Sequence, residues 1–270
     1  MPYVQVDGGR RIFYAEEGSG PDAVLMIHGW GCDGSDWAWL MADLSRDHRC
    51  VAIDNRGHGR SAGVPGAYAP RAFAADALEV IDRLGLVRPV IIGHSLGTLI
   101  GSVLAVEHPE VMRALVLVDP VYHGEDARLA AVVDALRRAP HEVAAELYGD
   151  FFYSERTPSW IPIWHRRRLL GTDEGAVLGT IVGLQDGTDG LGRRVVAERY
   201  LPRRGVPTLA FYGGDKPAEV ALERRLQRGP LDAIEFWPEH GHFLHQEAPE
   251  RFATAVRRWL ETLPDSGRPT

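Results

Sequence analysis

One serine in this chain lies in a pattern that can build a nucleophile, the segment GHSLG between Gly93 and Gly97. A serine hydroxyl attacks a carbonyl carbon only when a base removes its proton, so this serine needs a partner elsewhere in the chain. An apolar, β-branched run before Gly93 predicts a buried strand, and apolar residues at helical spacing after Ser95 predict a helix. A sharp turn between strand and helix lifts one side chain out of the sheet, and flanking glycines let the chain fold back tightly. We therefore predict that Ser95 is a nucleophile.

Three histidines near the C-terminal end could serve as the base: His240, His242 and His245. Histidine suits this role because its ordinary pKa lies near neutral pH. His242 is favoured because it lies in a Gly-His-Phe segment after a predicted strand and shortly before the last predicted helix. We expect the other two at the surface or at the rim of a pocket.

The base in turn requires a carboxylate that fixes its tautomer and stabilises the imidazolium. Asp119 follows the predicted strand 114–118, and Asp215 follows the predicted strand 208–212. Both aspartates come after the serine and before His242 in the chain. We favour Asp119 as the acid, and Asp215 stays open as the alternative.

Strands and helices alternate along most of the chain, which predicts an α/β fold with a parallel sheet and right-handed crossovers. A hairpin is predicted over 4–14, and further strands over 23–27, 50–53, 90–92, 114–118, 208–212 and 232–237. Helices are predicted over 35–44, 73–84 and 250–263, with one more that follows Ser95 and that Pro109 ends.

The alternation of strands and helices stops between residues 122 and 201, where the pattern is helical. We predict a core formed by residues 1–121 and 202–270 and a helical cap insertion, 122–201, over the carboxyl ends of the strands. Ligands bind at those strand ends in open α/β sheets. The insertion is rich in aromatic residues, which favours a small, largely apolar and in some cases cyclic substrate. The candidates for substrate contacts are Phe152, Trp160 and Trp164. The basic run 166–168 is expected on a solvated helix face.

Composition narrows the classes of function. The chain has 270 residues, of which 45 % are hydrophobic and 25 % charged, as in ordinary globular proteins. A net charge of −7 with scattered basic residues argues against nucleic-acid binding. We also expect no membrane helix, no secretory signal and a cytoplasmic location. The partner is expected to be a small-molecule substrate, and a homodimer stays open.

Metal and cofactor chemistry is not indicated by the spacing of possible ligands. Cys32 and Cys50 are too few for a disulfide framework and are expected to be buried. The histidines lack the spacing of known metal motifs. We therefore expect neither a metal nor a cofactor.

Four motifs, in this order, resemble the α/β-hydrolase family. They are HGWG at 28–31, DNRGHGRS at 54–61, GHSLG at 93–97 and GHF at 241–243. The resemblance covers the core, and the insertion matches in position only. It implies a mostly parallel central sheet flanked by helices, with a helical cap.

The resemblance also implies roles for individual residues. Ser95 matches the nucleophile and His242 matches the base. Trp30 and Leu96 match the positions whose backbone N–H groups form the oxyanion hole, which stabilises negative charge in acyl transfer. Most of the family places the acid in a slot that holds Lys216 here, with Asp215 one residue early. A minority places it after the preceding strand, where this chain has Asp119.

Three functions follow from these expectations. The first is a serine hydrolase that cleaves an ester, a lactone or a related carbonyl compound through an acyl-enzyme. The second keeps the site and changes the reaction to C–C bond hydrolysis or cofactor-free oxygenation. The third is a non-catalytic ligand receptor of the same fold.

Overall fold

The computed structural model describes residues 2–63, 66–122, 124, 126–185 and 190–264. Among them, eight strands form one sheet. The strands are β1 (Tyr3–Val6), β2 (Arg10–Glu17), β3 (Asp22–Ile27), β4 (His48–Ile53), β5 (Val90–His94), β6 (Ala114–Val118), β7 (Thr208–Gly213) and β8 (Ala233–Trp237). The helices are α1 (Ala38–Leu44), α2 (Pro70–Arg83), α3 (Leu96–Glu107), α4 (Asp126–Leu136), α5 (Pro140–Phe151), α6 (Trp160–Leu170), α7 (Glu174–Gln185), α8 (Arg194–Tyr200), α9 (Pro217–Leu226), α10 (Leu244–Glu247) and α11 (Pro249–Leu260).

The sheet is mostly parallel, as predicted, with the order β1-β2-β4-β3-β5-β6-β7-β8. The pairs β1–β2 and β2–β4 are antiparallel, and every later pair is parallel. The predicted hairpin over 4–14 corresponds to β1 and β2. Because β5, β6 and β7 are neighbours and run in one direction, the loops that follow them meet at one edge of the sheet. This edge carries Ser95 and Asp119.

The two faces of the sheet have separate cores, because successive strand side chains point to opposite sides. In β3, for example, Leu25 belongs to one core and Met26 to the other. Side chains from α2 and α3 complete the first core, and those from α1 and α11 complete the second. The strands β5 and β6 are buried along their whole length, as expected for central strands covered on both faces.

Five helices, α4 to α8, lie between β6 and β7 in the chain, where the insertion was predicted. They pack on one another and reach the core, where α7 contacts α2. No helix in the described part of the chain is long and apolar enough to cross a membrane.

Some helix ends differ from the predicted ones for a local reason. The helices α2 and α11 begin at Pro70 and Pro249, which are earlier than predicted, because proline fits the first position of a helix. The helix predicted over 35–44 is a 3₁₀ turn over Gly34–Trp37, followed by α1.

Candidate active site

Ser95 lies on the turn between β5 and α3, in a strained backbone conformation with φ 51° and ψ −113°. Its N–H donates to the carbonyl of Val118 at 2.9 Å, which ties the turn to the end of β6. A Cβ on Gly93 would lie 2.2 Å from the Gly97 carbonyl oxygen, and one on Gly97 would lie 2.2 Å from the Ile27 oxygen. The close approach of these backbones therefore requires both glycines, as the motif predicted.

The side chain of Ser95 is mostly enclosed, because the residue is only 6 % exposed. No hydrogen bond joins its hydroxyl to a described residue, His242 included, and the hydroxyl oxygen is not among the atoms fully shielded from solvent. Catalytic hydrogen bonds are often long in free enzymes and tighten when substrate binds. The hydroxyl is thus unengaged.

His242 and Asp119 form a buried hydrogen-bonded pair. The His242 Nδ1–H donates to Asp119 Oδ2 at 2.5 Å, and the Gly213 N–H donates to Oδ1 at 2.9 Å. The Lys216 ammonium also binds Oδ2. Asp119 has a positive φ of 48°, so its backbone is strained like that of Ser95. The structure thus places Asp119, of the two predicted acids, against His242.

Burial and charge act in opposite directions on the pKa values of this pair. Burial raises the pKa of Asp119, but the Lys216 ammonium and the hydrogen bond from His242 outweigh it, and the pKa lies below its usual value. For His242, burial lowers the pKa, the hydrogen bond and charge of Asp119 raise it, and Lys216 lowers it again. The balance is a lowered pKa, so His242 is neutral at pH 7 and its Nε2 can accept a proton.

The other predicted acid, Asp215, is exposed. No hydrogen bond or ion pair joins its carboxylate to a described residue. The loop that follows β7 therefore directs Lys216, not Asp215, toward the Asp119 carboxylate.

The loop that carries His242 lies directly against the turn that carries Ser95. The Nε2–H of His94, the residue before Ser95, donates to the His242 carbonyl at 3.0 Å. The rings of His94 and His242 are 4.6 Å apart. Burial holds the pKa of His94 far below its usual value, so this imidazole is neutral and braces the two segments.

The buried carboxylate of Glu247 binds the histidine loop, the segment 238–243 that carries His242. It accepts hydrogen bonds from His240 Nδ1 at 3.1 Å and from the Gly241 N–H at 2.9 Å. It also accepts from the hydroxyls of Ser154 at 3.1 Å and Thr157 at 2.5 Å, which lie between α5 and α6. The same side chain therefore joins the histidine loop to the insertion, a role that the sequence did not reveal.

Of the three aromatic residues predicted to contact substrate, the structure brings Phe152 to the site. Its ring stacks on His242 at 4.5 Å, and its carbonyl accepts from the His242 N–H at 2.9 Å. Trp160 and Trp164 instead pack on each other at 5.3 Å. Trp164 also lies under the Arg168 guanidinium and lines a cleft of about 780 Å³ that neither Ser95 nor His242 lines.

The two residues predicted to supply backbone N–H groups flank the Ser95 turn. Leu96 is the first residue of α3, so its N–H has no acceptor within the helix. Trp30 follows β3, next to a glycine whose added Cβ would lie 3.0 Å from the Ser95 Cβ. The insertion holds Trp30 at two points: Tyr148 donates to its carbonyl, and its indole donates to the Val177 carbonyl at 2.9 Å.

A buried polar cluster next to the site was not predicted. One possible ligand atom each from Asp36, His94 and His245 lies within 4.8 Å of the others. Asp36 Oδ2 and both Nδ1 atoms are buried without a partner among the described residues. Such donors suit zinc, but the Arg168 guanidinium, bound to Asp36, opposes a dication there. The cluster therefore fits a metal ion poorly, and only the fold brings its members together.

Three side chains expected at the surface or a pocket rim are buried. His240 and His245 are 7 % and 4 % exposed, because they pack beneath the site against Glu247 and the polar cluster. Arg168 is 8 % exposed, because it pairs with Asp36 instead of facing solvent with its neighbours in α6. Cys32 and Cys50 are free and buried, as expected.

Comparisons with known proteins agree with this architecture. Residues 24–255 match the alpha/beta hydrolase family. The chain is 26 % identical to an (E)-2-((N-methylformamido)methylene)succinate hydrolase of Acinetobacter baylyi, over 97 % of this chain and 98 % of the relative. It is 39 % identical to a putative carbamate hydrolase of Pseudomonas savastanoi pv. phaseolicola, over 72 % of this chain and 76 % of that one. Among solved structures, an enol-lactonase of Burkholderia xenovorans superposes with a TM-score of 0.84 at 22 % identity, covering 96 % of this chain and 100 % of the other.

Proposed function

The chain belongs to the alpha/beta hydrolase family, and from that premise we propose that it is a serine hydrolase of small carbonyl compounds, with Ser95, His242 and Asp119 as its catalytic triad. The observation that carries the proposal is the 2.5 Å hydrogen bond from His242 to Asp119, beside the turn that presents Ser95. The proposed substrates are esters, lactones or related carbonyl compounds.

The first chemical step follows from the hydrogen bonds of His242. Because its Nδ1–H is committed to Asp119, its Nε2 carries the free electron pair. Nε2 removes the proton from Ser95 as Oγ attacks the carbonyl carbon, and the imidazolium that forms is stabilised by the Asp119 carboxylate. His242 then returns the proton to the leaving group, which leaves the acyl group on Ser95.

The negative charge on the substrate oxygen needs donors in place before the reaction starts. The backbone N–H groups of Trp30 and Leu96 are the proposed donors, and the N-terminal end of α3 adds its positive dipole. Water then attacks the acyl carbon as His242 takes its proton, and His242 passes that proton to Ser95 Oγ when the bond to Ser95 breaks and the acid product leaves.

The surroundings of His242 support a compact, largely apolar substrate. Phe152 covers one face of the imidazole, and Phe243 packs nearby at 5.3 Å between ring centroids. The relatives named for the hydrolysis of a substituted succinate and of a carbamate support a carbonyl compound as the substrate.

A fluorophosphonate probe tests the nucleophile, because it forms a covalent adduct only with an activated serine. We expect one adduct, which mass spectrometry of the digested protein locates on Ser95. Ser95→Ala abolishes both the adduct and the hydrolysis of a panel of short-chain esters and lactones. Ser102, buried in α3 without a hydrogen-bond partner among the described residues, offers the matched control, and Ser102→Ala keeps both.

Two results would contradict the proposal. One is an adduct on another residue, or none, in folded protein. The other is undiminished ester hydrolysis by Ser95→Ala. Oxygen uptake with a cyclic enol, without ester cleavage, would instead indicate the cofactor-free oxygenation that the sequence analysis gave as an alternative function.

A further inference from the structure

By the resemblance drawn from the sequence, Lys216 occupies the position in which most of the family places the catalytic acid. Its backbone precedes the first residue of α9, and its side chain extends to the buried carboxylate of Asp119. The Lys216 Nζ and the His242 Nδ1–H share one oxygen, Oδ2, while the Gly213 N–H takes the other. The Asp119 carboxylate therefore has three donors, one of them an ammonium group.

The net charge of this centre rises from zero to plus one when His242 gains a proton. With neutral His242, the Asp119 carboxylate and the Lys216 ammonium balance each other. Protonated His242 adds a second cation to the same carboxylate oxygen, which leaves an excess positive charge in a buried site. Without Lys216, the imidazolium would instead neutralise Asp119. Lys216 thus disfavours the protonated histidine, although its side chain is 31 % exposed and solvent screens part of the effect.

Other titratable groups face His242 from the surrounding elements. Glu247 in α10 favours the imidazolium, as Asp119 does. Three histidines, His94 in β5, His165 in α6 and His245 in α10, have pKa values lowered by burial and stay neutral near pH 7. Two carboxylates therefore promote protonation of His242, and Lys216 opposes them.

We propose that Lys216 is a positioning residue that holds the Asp119 carboxylate and keeps His242 neutral, and so able to act as a base, in mildly acidic solution. The inference rests on the proposed function only for its catalytic meaning, because the charge state of His242 can be measured without turnover. In this arrangement the acid follows β6 instead of β7. The position after β7 can then hold a cation, Lys216, which disfavours protonation of His242.

Nuclear magnetic resonance of protein labelled with ¹³C-histidine tests the proposal directly. The His242 signal is assigned by its loss in His242→Gln, and its titration is compared between wild type and variants. We expect Lys216→Met and Lys216→Gln to raise the pKa of His242 by about one unit, the size expected of a partly screened charge at close range. Lys216→Arg, which keeps the charge, leaves it near the wild-type value. Asp215→Asn, which changes a neighbouring exposed charge, is the matched control and has little effect.

The outcomes separate this inference from the proposed function. A rise in both uncharged variants and none in Lys216→Arg supports a role for charge. An unchanged His242 pKa in an uncharged variant that stays folded overturns it, and so does an equal rise in all three variants. If the enzyme hydrolyses esters, the acidic limb of the pH–rate profile of the uncharged variants shifts to higher pH, by the same amount as the pKa of His242. If no turnover exists, the titration still decides the role of Lys216.

Discussion

At the scale of single residues, the site combines a serine hydroxyl that has no hydrogen-bond partner among the described residues with a carboxylate that binds three donors. Ser95 and Asp119 end neighbouring strands, and both have positive φ angles of about 50°, at 51° and 48°. Strain of this kind, roughly 1–3 kcal/mol at each residue, persists only where the surroundings impose it. At Ser95 it presents a hydroxyl without a partner among the described residues, and at Asp119 it directs a carboxylate to three donors. The same positive-φ backbone conformation therefore occurs at the proposed nucleophile and at the carboxylate that binds His242.

The Asp119 carboxylate can be tested by an isosteric change. Asp119→Asn places an amide NH₂ toward the His242 Nδ1–H and the Lys216 ammonium, so it disfavours the tautomer that leaves Nε2 free. We expect kcat for ester hydrolysis to fall by roughly 10⁴-fold, as in other triads. Asp215→Asn should change it less than about twofold, because Asp215 is exposed and unpaired among the described residues. Steady-state kinetics of both variants checks this, and the reverse pattern would assign the acid to Asp215.

The sequence predicted residues whose chemistry imposes a local pattern. A Cβ at either glycine beside Ser95 would lie 2.2 Å from a backbone carbonyl oxygen, so both positions require glycine, and this requirement is visible in the sequence as a motif. Asp119 and Asp215 could not be separated in this way, because both end a strand and only the path of the following loop decides which one reaches His242. The burial of His245 beside Asp36 and His94 could not be predicted, because these residues are brought together from distant parts of the chain.

At the scale of elements, the short loop between β8 and α10 depends on the insertion. Glu247 binds both the loop and the segment between α5 and α6. Phe152 adds its carbonyl to the His242 N–H. The loop that carries the histidine is thus held from two sides.

Replacing Glu247 by glutamine should loosen this connection. The amide nitrogen of Glu247→Gln would face hydroxyl and N–H donors, so buried hydrogen bonds are lost. We expect the free energy of unfolding to fall by about 2–4 kcal/mol and kcat to fall together with it. Urea denaturation and ester kinetics measure the two effects. Glu250→Gln, at an exposed position in the first turn of α11, should cost less than about 1 kcal/mol, and equal losses in both variants would contradict the role of Glu247.

The turn that carries Ser95 should not accommodate an added Cβ at Gly97. A Cβ in Gly97→Ala would lie 2.2 Å from the Ile27 carbonyl oxygen, a backbone atom that cannot move without disturbing β3. We expect a loss of about 3 kcal/mol in unfolding free energy. Gly149→Ala is the matched control, because a Cβ there meets nothing within 4 Å in α5. It should stabilise the protein by about 0.5–1 kcal/mol, since alanine is the better helix former. Thermal and urea unfolding of the pair would reveal equal effects if the turn were less constrained.

Elements were predicted more reliably than their contacts. The strand over 114–118 was predicted to the residue, because a continuous apolar run has sharp ends. The pairing of β2 with β4 and the packing of α4–α8 depend on contacts between residues far apart in the chain. The local periodicity of a sequence does not predict such contacts.

At the scale of the whole molecule, several histidine side chains are buried in the neutral form. Burial lowers the pKa of His28 to about 3, of His58 to about 4, of His165 to about 2 and of His245 to about 3. Unfolded chains restore each value to about 6.5. Below pH 6.5 the unfolded state therefore binds more protons than the folded state, and stability falls as the pH falls.

Together, the lowered pKa values of these buried histidines predict that the folded state loses much of its stability in acid. Each of these histidines destabilises the fold by up to about 1.4 kcal/mol per pH unit below 6.5. Asp36 and Asp54, whose pKa values burial raises, act in the opposite direction above pH 4 but are fewer. We expect the unfolding free energy to fall by on the order of 5–10 kcal/mol between pH 7 and pH 5. Urea denaturation at pH 7, 6 and 5, followed by tryptophan fluorescence, measures it.

A control for this prediction is His108, whose side chain is 41 % exposed. His108→Gln should give the same dependence of stability on pH as the wild type. Equal stability of the wild type at pH 7 and pH 5 would show that the buried histidines do not govern it.

The insertion contacts two of the loops that form the proposed site. Through Tyr148 and Val177 it fixes the loop of Trp30, and through Phe152 it fixes the backbone of His242. Replacing residues 122–201 by the corresponding segment of a relative would therefore remove contacts that position His242 and Trp30, the proposed base and oxyanion donor. Recombination that aims to change selectivity should exchange this segment together with the loop 240–247, because a new insertion brings its own carbonyl and hydroxyl partners.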